Sequence, residues 1–303
     1  MDSPHGAAVK AEDFGLKGPR GWAFRGVGID AAPGSLIAVE GPSGSGRTCL
    51  LLALTGRMKP TAGHAEVGGH RLPKKMSAVR RIAALGPVSG ITDLDQALTV
   101  AEQLREGALL QRHYGAPVRA MLRPRAERRA AAEARIAAAL EAAGLDLATL
   151  PKGERTSVRD LERLESVRLS VAIALLGSPG LLALDDLDLK LSDTERAEAW
   201  ALLRSVAARG ITVLAVCSEA PADAVVLRTC PKDPDAPDAP DAPGAPGAPE
   251  AAPDAPAEAA AEPVEGAEAE GDTKNGTEND TTNDAENDDT KGADDALAEA
   301  GRA

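Results

Sequence analysis

Residues 41 to 48 read Gly-Pro-Ser-Gly-Ser-Gly-Arg-Thr, the phosphate-loop frame G-x-x-x-x-G-K-[ST] with arginine in the lysine place. Gly41, Gly44 and Gly46 let the backbone curl, because glycine adopts dihedrals that other residues resist. The curl turns successive N–H groups inward and makes a nest for phosphate oxygens. A helix following the loop adds its positive dipole end. Thr48 supplies a hydroxyl suited to Mg²⁺, and Arg47 a cation for the β- and γ-phosphates. Lysine would do the latter as a compact point charge, whereas arginine is a wide planar fork. The set expected to hold the nucleotide phosphates is therefore Gly41, Ser43, Gly44, Ser45, Gly46, Arg47, Thr48 and Cys49. The arginine reads either as drift in an arginine-rich chain, 24 Arg against 10 Lys, or as a site that binds nucleotide while hydrolysing it poorly.

Such a loop acts only when a strand feeds it and a helix follows it. Residues 35–40 (SLIAVE) are the expected strand, and residues 49–55 (CLLLALT) the expected helix. Short strands with glycine turns are expected over 9–40, a strand and glycine hairpin over 60–72, and another strand over 80–88. The character turns helical from residue 98 to a stop at Gly144, and again from 158 to 176. Leu181-Leu182-Ala183-Leu184 is an apolar strand ending at Asp185-Asp186. A helix over 194–209 and a buried strand over 211–217 follow. Strands alternating with helices predict an α/β fold with a mostly parallel sheet covered on both faces.

Composition divides the chain. Residues 231–303 hold 21 acidic and 4 basic side chains, a net of −17; the whole chain carries −13, so residues 1–230 carry +4. Pro-Asp-Ala repeats with few large apolar residues cannot offset the entropy of ordering, so 231–303 is expected to be a disordered acidic tail. The folded body is expected to be one domain over 1–230, with a helical subdomain over about 98–176. With two Phe, one Tyr and two Trp, base-stacking platforms and nucleic-acid binding are disfavoured. Cys49, Cys217 and Cys230 and the four histidines show no metal-ligand spacing. No signal peptide and no apolar run of about 20 residues are evident, so a cytoplasmic location is expected.

The order of these parts resembles the ATP-binding subunit of ABC transporters over roughly residues 9–220. GPSGSGRT resembles its Walker A, PTAGHAEVGGHRL the strand and turn after the first helix, and LTVAE at 98–102 the start of its helical subdomain. ALLGSPGLLALDD resembles the run into Walker B, and ITVLAVCSE the strand that ends at the switch histidine. The resemblance implies a P-loop cassette with antiparallel N-terminal strands, binding ATP with Mg²⁺. It also implies a head-to-tail partnership with a second ATP-binding subunit and an integral membrane permease. The protein would then lie at the inner face of the cell membrane. By the same resemblance Thr48 and Asp185 would serve the metal, and Asp186 and Ser218 would stand at the catalytic positions. Phe14 is the candidate for stacking on adenine, with Trp22 the alternative.

The departures fall on the parts that drive hydrolysis. Asp186 stands where Walker B carries glutamate, roughly 1.5 Å short, a misplacement that costs on the order of a hundredfold in rate. Ser218 stands for the switch histidine and Pro87 for the Q-loop glutamine. The signature LSGGQ falls at Leu161-Glu162-Arg163-Leu164-Glu165, where two carboxylates would repel a phosphate. Two readings follow: a transport ATPase subunit with weak or partner-dependent hydrolysis, or a pseudo-ATPase acting as a nucleotide-gated interaction protein.

Overall fold

The structure is a computed structural model describing residues 6–115 and 124–229, with side chains up to 110 in the first stretch. The expected acidic tail at 231–303 lies outside the described residues. Two sheets form the frame. Strands β1 (Val9–Gly18), β2 (Gly21–Ala31), β4 (Ala62–Val67) and β5 (His70–Leu72) make an antiparallel sheet ordered β2-β1-β4-β5. Strands β3 (Leu36–Glu40), β6 (Ala83–Leu85), β7 (Leu181–Leu184), β8 (Thr212–Cys217) and β9 (Val225–Arg228) make a parallel sheet ordered β6-β7-β8-β3-β9.

The central strands of the parallel sheet are apolar on both faces because both faces are covered. Leu36, Ala38, Leu182, Leu184, Val213, Ala215 and Cys217 face one core. Ile37, Val39, Leu181, Ala183, Leu214 and Val216 face the other. The first core is filled from the helices α3 (Val100–Gly115), α4 (Arg125–Ala143), α5 (Arg163–Leu175) and α6 (Asp193–Ala208). The second is filled from α1 (Arg47–Leu54), α2 (Met76–Ile82) and the antiparallel sheet. Helix α1 buries Leu50, Leu51 and Leu54 completely, so truncating any one to alanine costs about 2–5 kcal/mol. The phosphate loop is thus anchored on both sides by core. Helix α5 buries seven side chains distributed around its circumference, as a helix enclosed by sheet and neighbouring helices must. It ends at Leu175, capped by Leu176 ahead of the Gly177-Ser-Pro-Gly turn that leads into β7.

Most expected elements are present. Gly144 stops α4 in the left-handed region (φ 60°), and Gly68-Gly69 turn β4 into β5. Three features differ. The two N-terminal strands are long, 10 and 11 residues, not short. Residues 80–82 end helix α2 rather than beginning a strand, and β6 is only Ala83–Leu85. Arg80 and Arg81 sit in the last turn of α2, where cations oppose the negative end of the helix dipole. Arg80 also donates to the Gly56 carbonyl at 3.1 Å. Strand β9 was not expected, and it adds an edge to the sheet beside β3.

Candidate functional site

The loop of residues 41–46 joins β3 to α1 at the C-terminal edge of the parallel sheet. Gly46, at φ 84°, is required: a Cβ there would collide with the Ala23 carbonyl of β2. Ser45 is 1 % exposed, and its hydroxyl is hydrogen-bonded to that of Thr229 at 2.6 Å. The Thr229 N–H in turn donates to the Glu40 carbonyl at 2.9 Å. The loop is therefore clamped between β2 on one side and the end of β9 on the other. Ser43 and Gly44 stand exposed at its tip, and Cys49 is half-buried in the first turn of α1.

Strand β7 brings the carboxylates to the loop. The Thr48 hydroxyl donates to Asp185 Oδ2 at 2.7 Å, and Asp185 is 7 % exposed. Burial raises the Asp185 pKa above the ordinary aspartate value; the Thr48 bond opposes this, and the neighbouring Asp186 charge adds to it. The Asp185 N–H donates to the carbonyl of Pro87 at 2.9 Å. A half-buried hydroxyl and a buried carboxylate beside a phosphate nest are an oxygen donor set that fits Mg²⁺. Asp186 follows in the left-handed region, φ 42°. Its own N–H donates to Asp185 Oδ1 at 3.1 Å.

Arg47 lies across the mouth of this arrangement. Nη1 donates to the carbonyl of Cys217 at 2.9 Å, and Nη2 stands 3.8 Å from Asp186 Oδ1. Ser218, the next residue after β8, is exposed, and its N–H donates to Asp188 Oδ2 at 2.7 Å. The Cys217 thiol is pushed up to about 12, by burial first and then by the Asp188 and Glu40 charges, so it remains an inert thiol. Among the described residues, Arg47, Thr48, Asp185, Asp186 and Ser218 thus converge on one edge of the sheet.

Phe14 does not join them. It is 0 % exposed, and its ring packs 5.7 Å from that of Phe24, so no face is left for adenine. The cause is a bulge at Asp13, φ 47°, where the β1–β2 register shifts. Val9 and Ala11 point inward before it, and the parity flips so that Phe14 points inward after it. Trp22 is half-buried on β2, one residue before the Ala23 carbonyl that abuts Gly46. Lys17 Nζ lies 5.5 Å from its ring centroid.

The signature-like segment forms the start of α5. Glu165 reaches back and accepts the Glu162 N–H at 2.9 Å, so the helix start is closed by its own carboxylate. Arg163 Nε donates to the Leu189 carbonyl at 3.2 Å, tying this start to the loop after Asp186. Sequence reasoning missed Thr229, the Cys217 carbonyl and Arg163. Backbone acceptors leave no sequence signal, but the VVLR run before Thr229 could have been read as a strand. A cavity of about 790 Å³ lies elsewhere, between α3 and α4, lined in part by Leu104, Arg128 and Ile136. None of the phosphate-loop residues lines it.

Known proteins share this fold. The ABC transporter family profile matches residues 24–187, more than half of the chain. The chain belongs to that family, as an ATP-binding domain. The daunorubicin resistance ATP-binding protein DrrA3 of Streptomyces coeruleorubidus is 33 % identical over 193 residues, covering 63 % of this chain and 54 % of that protein. The Nod factor export ATP-binding protein I of Paraburkholderia xenovorans is 30 % identical over 192 residues, covering 62 % and 55 %. The chain spans about half the length of these curated relatives. Among solved structures, cbiO1 of Clostridium perfringens, part of the ABC transporter complex cbiONQ, superposes with a TM-score of 0.56 at 20 % identity, covering 70 % of this chain and 78 % of that one. The fold is the ABC cassette, a mostly parallel sheet with antiparallel strands and helices. No helix among the described residues of this ABC chain is long and apolar enough to cross a membrane.

Proposed function

We propose that the protein is the ATP-binding subunit of an ABC-type export system, holding Mg-ATP at residues 41–49 with weak or partner-dependent hydrolysis. The observation that carries this reading is the 2.7 Å contact of Thr48 with the buried Asp185, set against the Gly46 turn. Gly41, Ser43, Gly44, Ser45, Gly46 and Cys49 would contribute the phosphate nest, and Arg47 its cation. Thr48 and Asp185 would hold Mg²⁺, which when bound neutralises phosphate charge. Trp22 takes over from Phe14 as the ring for adenine, at the side of the loop where β2 abuts Gly46. Asp186 and Ser218 occupy the hydrolytic positions with side chains poorly suited to activating water or carrying a cation.

The names of the relatives, a Nod factor exporter subunit and a drug-resistance subunit, support an outward direction of transport. Membership of the ABC transporter family supports a membrane permease as partner, a second ATP-binding subunit beside it, and a place at the cytoplasmic face. The alternative is a pseudo-ATPase that uses nucleotide as a gate for interaction. The closed start of α5 favours it, since Glu165 takes the Glu162 N–H where a partner's phosphate would be expected. Calorimetric Mg-ATP titration and single-turnover hydrolysis on the full chain separate the readings. Affinity in the micromolar range that falls about tenfold or more in Thr48→Val supports the Mg-ATP site. Hydrolysis that rises in Asp186→Glu supports the transport ATPase. Binding with no turnover in either protein supports the gate, and no binding in the wild type removes both.

A further inference from the structure

The two charged side chains that depart most from the phosphate-loop and Walker B patterns are in contact with each other. Arg47 Nη2 lies 3.8 Å from Asp186 Oδ1, while Nη1 donates to the Cys217 carbonyl at 2.9 Å. The guanidinium fork offers a separate nitrogen to each acceptor, whereas a lysine ammonium on its shorter stem would have to reach both from one nitrogen. The partners differ in freedom. Asp186 is held through its backbone: φ 42°, its N–H on Asp185 Oδ1 at 3.1 Å, and its carbonyl accepting from the Leu189 N–H at 3.1 Å. Arg47 is a long side chain at the first position of α1, directly after the loop, with its side chain 15 % exposed against 44 % for Asp186.

We propose that Arg47 is an exchangeable clasp. The guanidinium that neutralises Asp186 is the same cation that the phosphate loop needs for a terminal phosphate. It cannot serve both in full, so the Arg47–Asp186 pair competes with nucleotide. The Asp186 carboxylate is released only when phosphate has taken Arg47. This deepens the nucleotide-site reading and rests on it. The pair lowers apparent triphosphate affinity by the fraction of molecules in which it is closed, a tax that breaking the pair removes. Arg47 acts on Asp186 as a positioning residue, and through it on whatever water that carboxylate faces.

A double-mutant cycle on the full chain tests the clasp. Wild type, Arg47→Gln, Asp186→Asn and the double variant are compared by Mg-ATP titration and, without nucleotide, by thermal unfolding. The expected result is that Asp186→Asn tightens Mg-ATP about threefold to tenfold when Arg47 is present, and not when it is replaced. Simple repulsion between Asp186 and phosphate makes the opposite prediction, an equal or larger gain once the arginine is gone, and that result overturns the clasp. Without nucleotide, the two single changes should be non-additive in unfolding midpoint; strict additivity also overturns it. If Arg47→Gln binds too weakly to titrate, Arg47→Lys takes its place in the cycle. The gain from Asp186→Asn should then shrink, because a shorter side chain with one nitrogen reaches the two acceptors less well, and an undiminished gain overturns the proposal. A wild type that binds no nucleotide removes the site reading together with the clasp. Wild-type binding with equal gains in both backgrounds removes the clasp alone.

Discussion

Two helix starts in this molecule point to opposite uses of the same physics. Helix α1 begins after Gly46 with no side-chain cap and no acid in its first turn. Helix α5 begins after Glu162, with Glu165 in its first turn folded back onto the Glu162 N–H at 2.9 Å. The first four N–H groups of a helix lack partners within it and carry the positive end of the dipole. At α1 those donors remain for an anion from outside the chain. At α5 the chain has supplied the anion itself. Within the ABC family the first start belongs to the subunit's own nucleotide loop, and the second to the place where a partner's nucleotide is completed. Under the reading proposed above, this chain would keep the means to hold a nucleotide and lack the means to cap another's.

The largest effect should come from breaking the first start. Gly46→Ala would place a Cβ against the Ala23 carbonyl at a backbone φ of 84°. Either the loop moves off β2 or the strand yields. The expected cost is about 2–4 kcal/mol in stability, with loss of measurable Mg-ATP binding, because the strain and the steric clash act together. Chemical denaturation and titration of the same protein check this. A variant of wild-type stability that binds normally would show that the cradle is not rigid.

A smaller and opposite-signed effect is expected at Asp185. Its pKa is raised in the folded state, chiefly by burial. The folded protein therefore binds the proton more tightly than the unfolded chain does, and stability falls as pH rises through the interval between the ordinary aspartate value and the raised one. Above that interval the full cost of the buried charge is present. Asp185→Asn removes the charge and keeps an oxygen for the Thr48 hydroxyl. It should raise the unfolding midpoint at neutral pH by about 1–4 °C and flatten its pH dependence. It should also weaken Mg-ATP about tenfold or more. Stability gained together with binding lost is the mark of a functional buried charge. A midpoint that falls at neutral pH would mean that losing the acceptor for the Asp186 N–H, where the amide NH2 would stand, outweighs the relief of desolvation.

Much of this was legible in the sequence, for a physical reason. The SLIAVE strand, the glycine loop and the CLLLALT helix are specified by local preferences and by continuous burial on both sheet faces. The fold followed from such segments in order. What was not legible depended on parity and on the backbone. Phe14 reads as an aromatic near the loop, but a single left-handed residue, Asp13, turns it into the core. Trp22, eight residues on, stays half-buried beside the loop because it falls on the other side of the hairpin. Arg47 reads as a damaged lysine, and its ties to the Cys217 carbonyl and to Asp186 involve residues 170 and 139 positions away. Thr229 was missed because β9 is four residues long and gains its meaning only from pairing with β3.

The smallest effect should come from opening the second start. Glu162→Ser with Glu165→Gln keeps the capping pattern, since serine accepts from the N3 backbone and glutamine can still reach back. Removing one exposed and one half-buried charge should therefore change stability by no more than about 0.5 kcal/mol, by denaturant unfolding. Its consequence should appear in association instead. If the carboxylates of α5 alone exclude a neighbouring nucleotide, wild-type protein with Mg-ATP should remain at its nucleotide-free sedimentation coefficient. The double variant should then show Mg-ATP-dependent self-association, weakening as salt is added, since the interaction restored is charge to dipole. Wild type that already self-associates with Mg-ATP would break the comparison from the other side. It would show that this carboxylate-capped helix start can still face a phosphate, and Arg163, held on the Leu189 carbonyl at 3.2 Å, would be the cation to replace next.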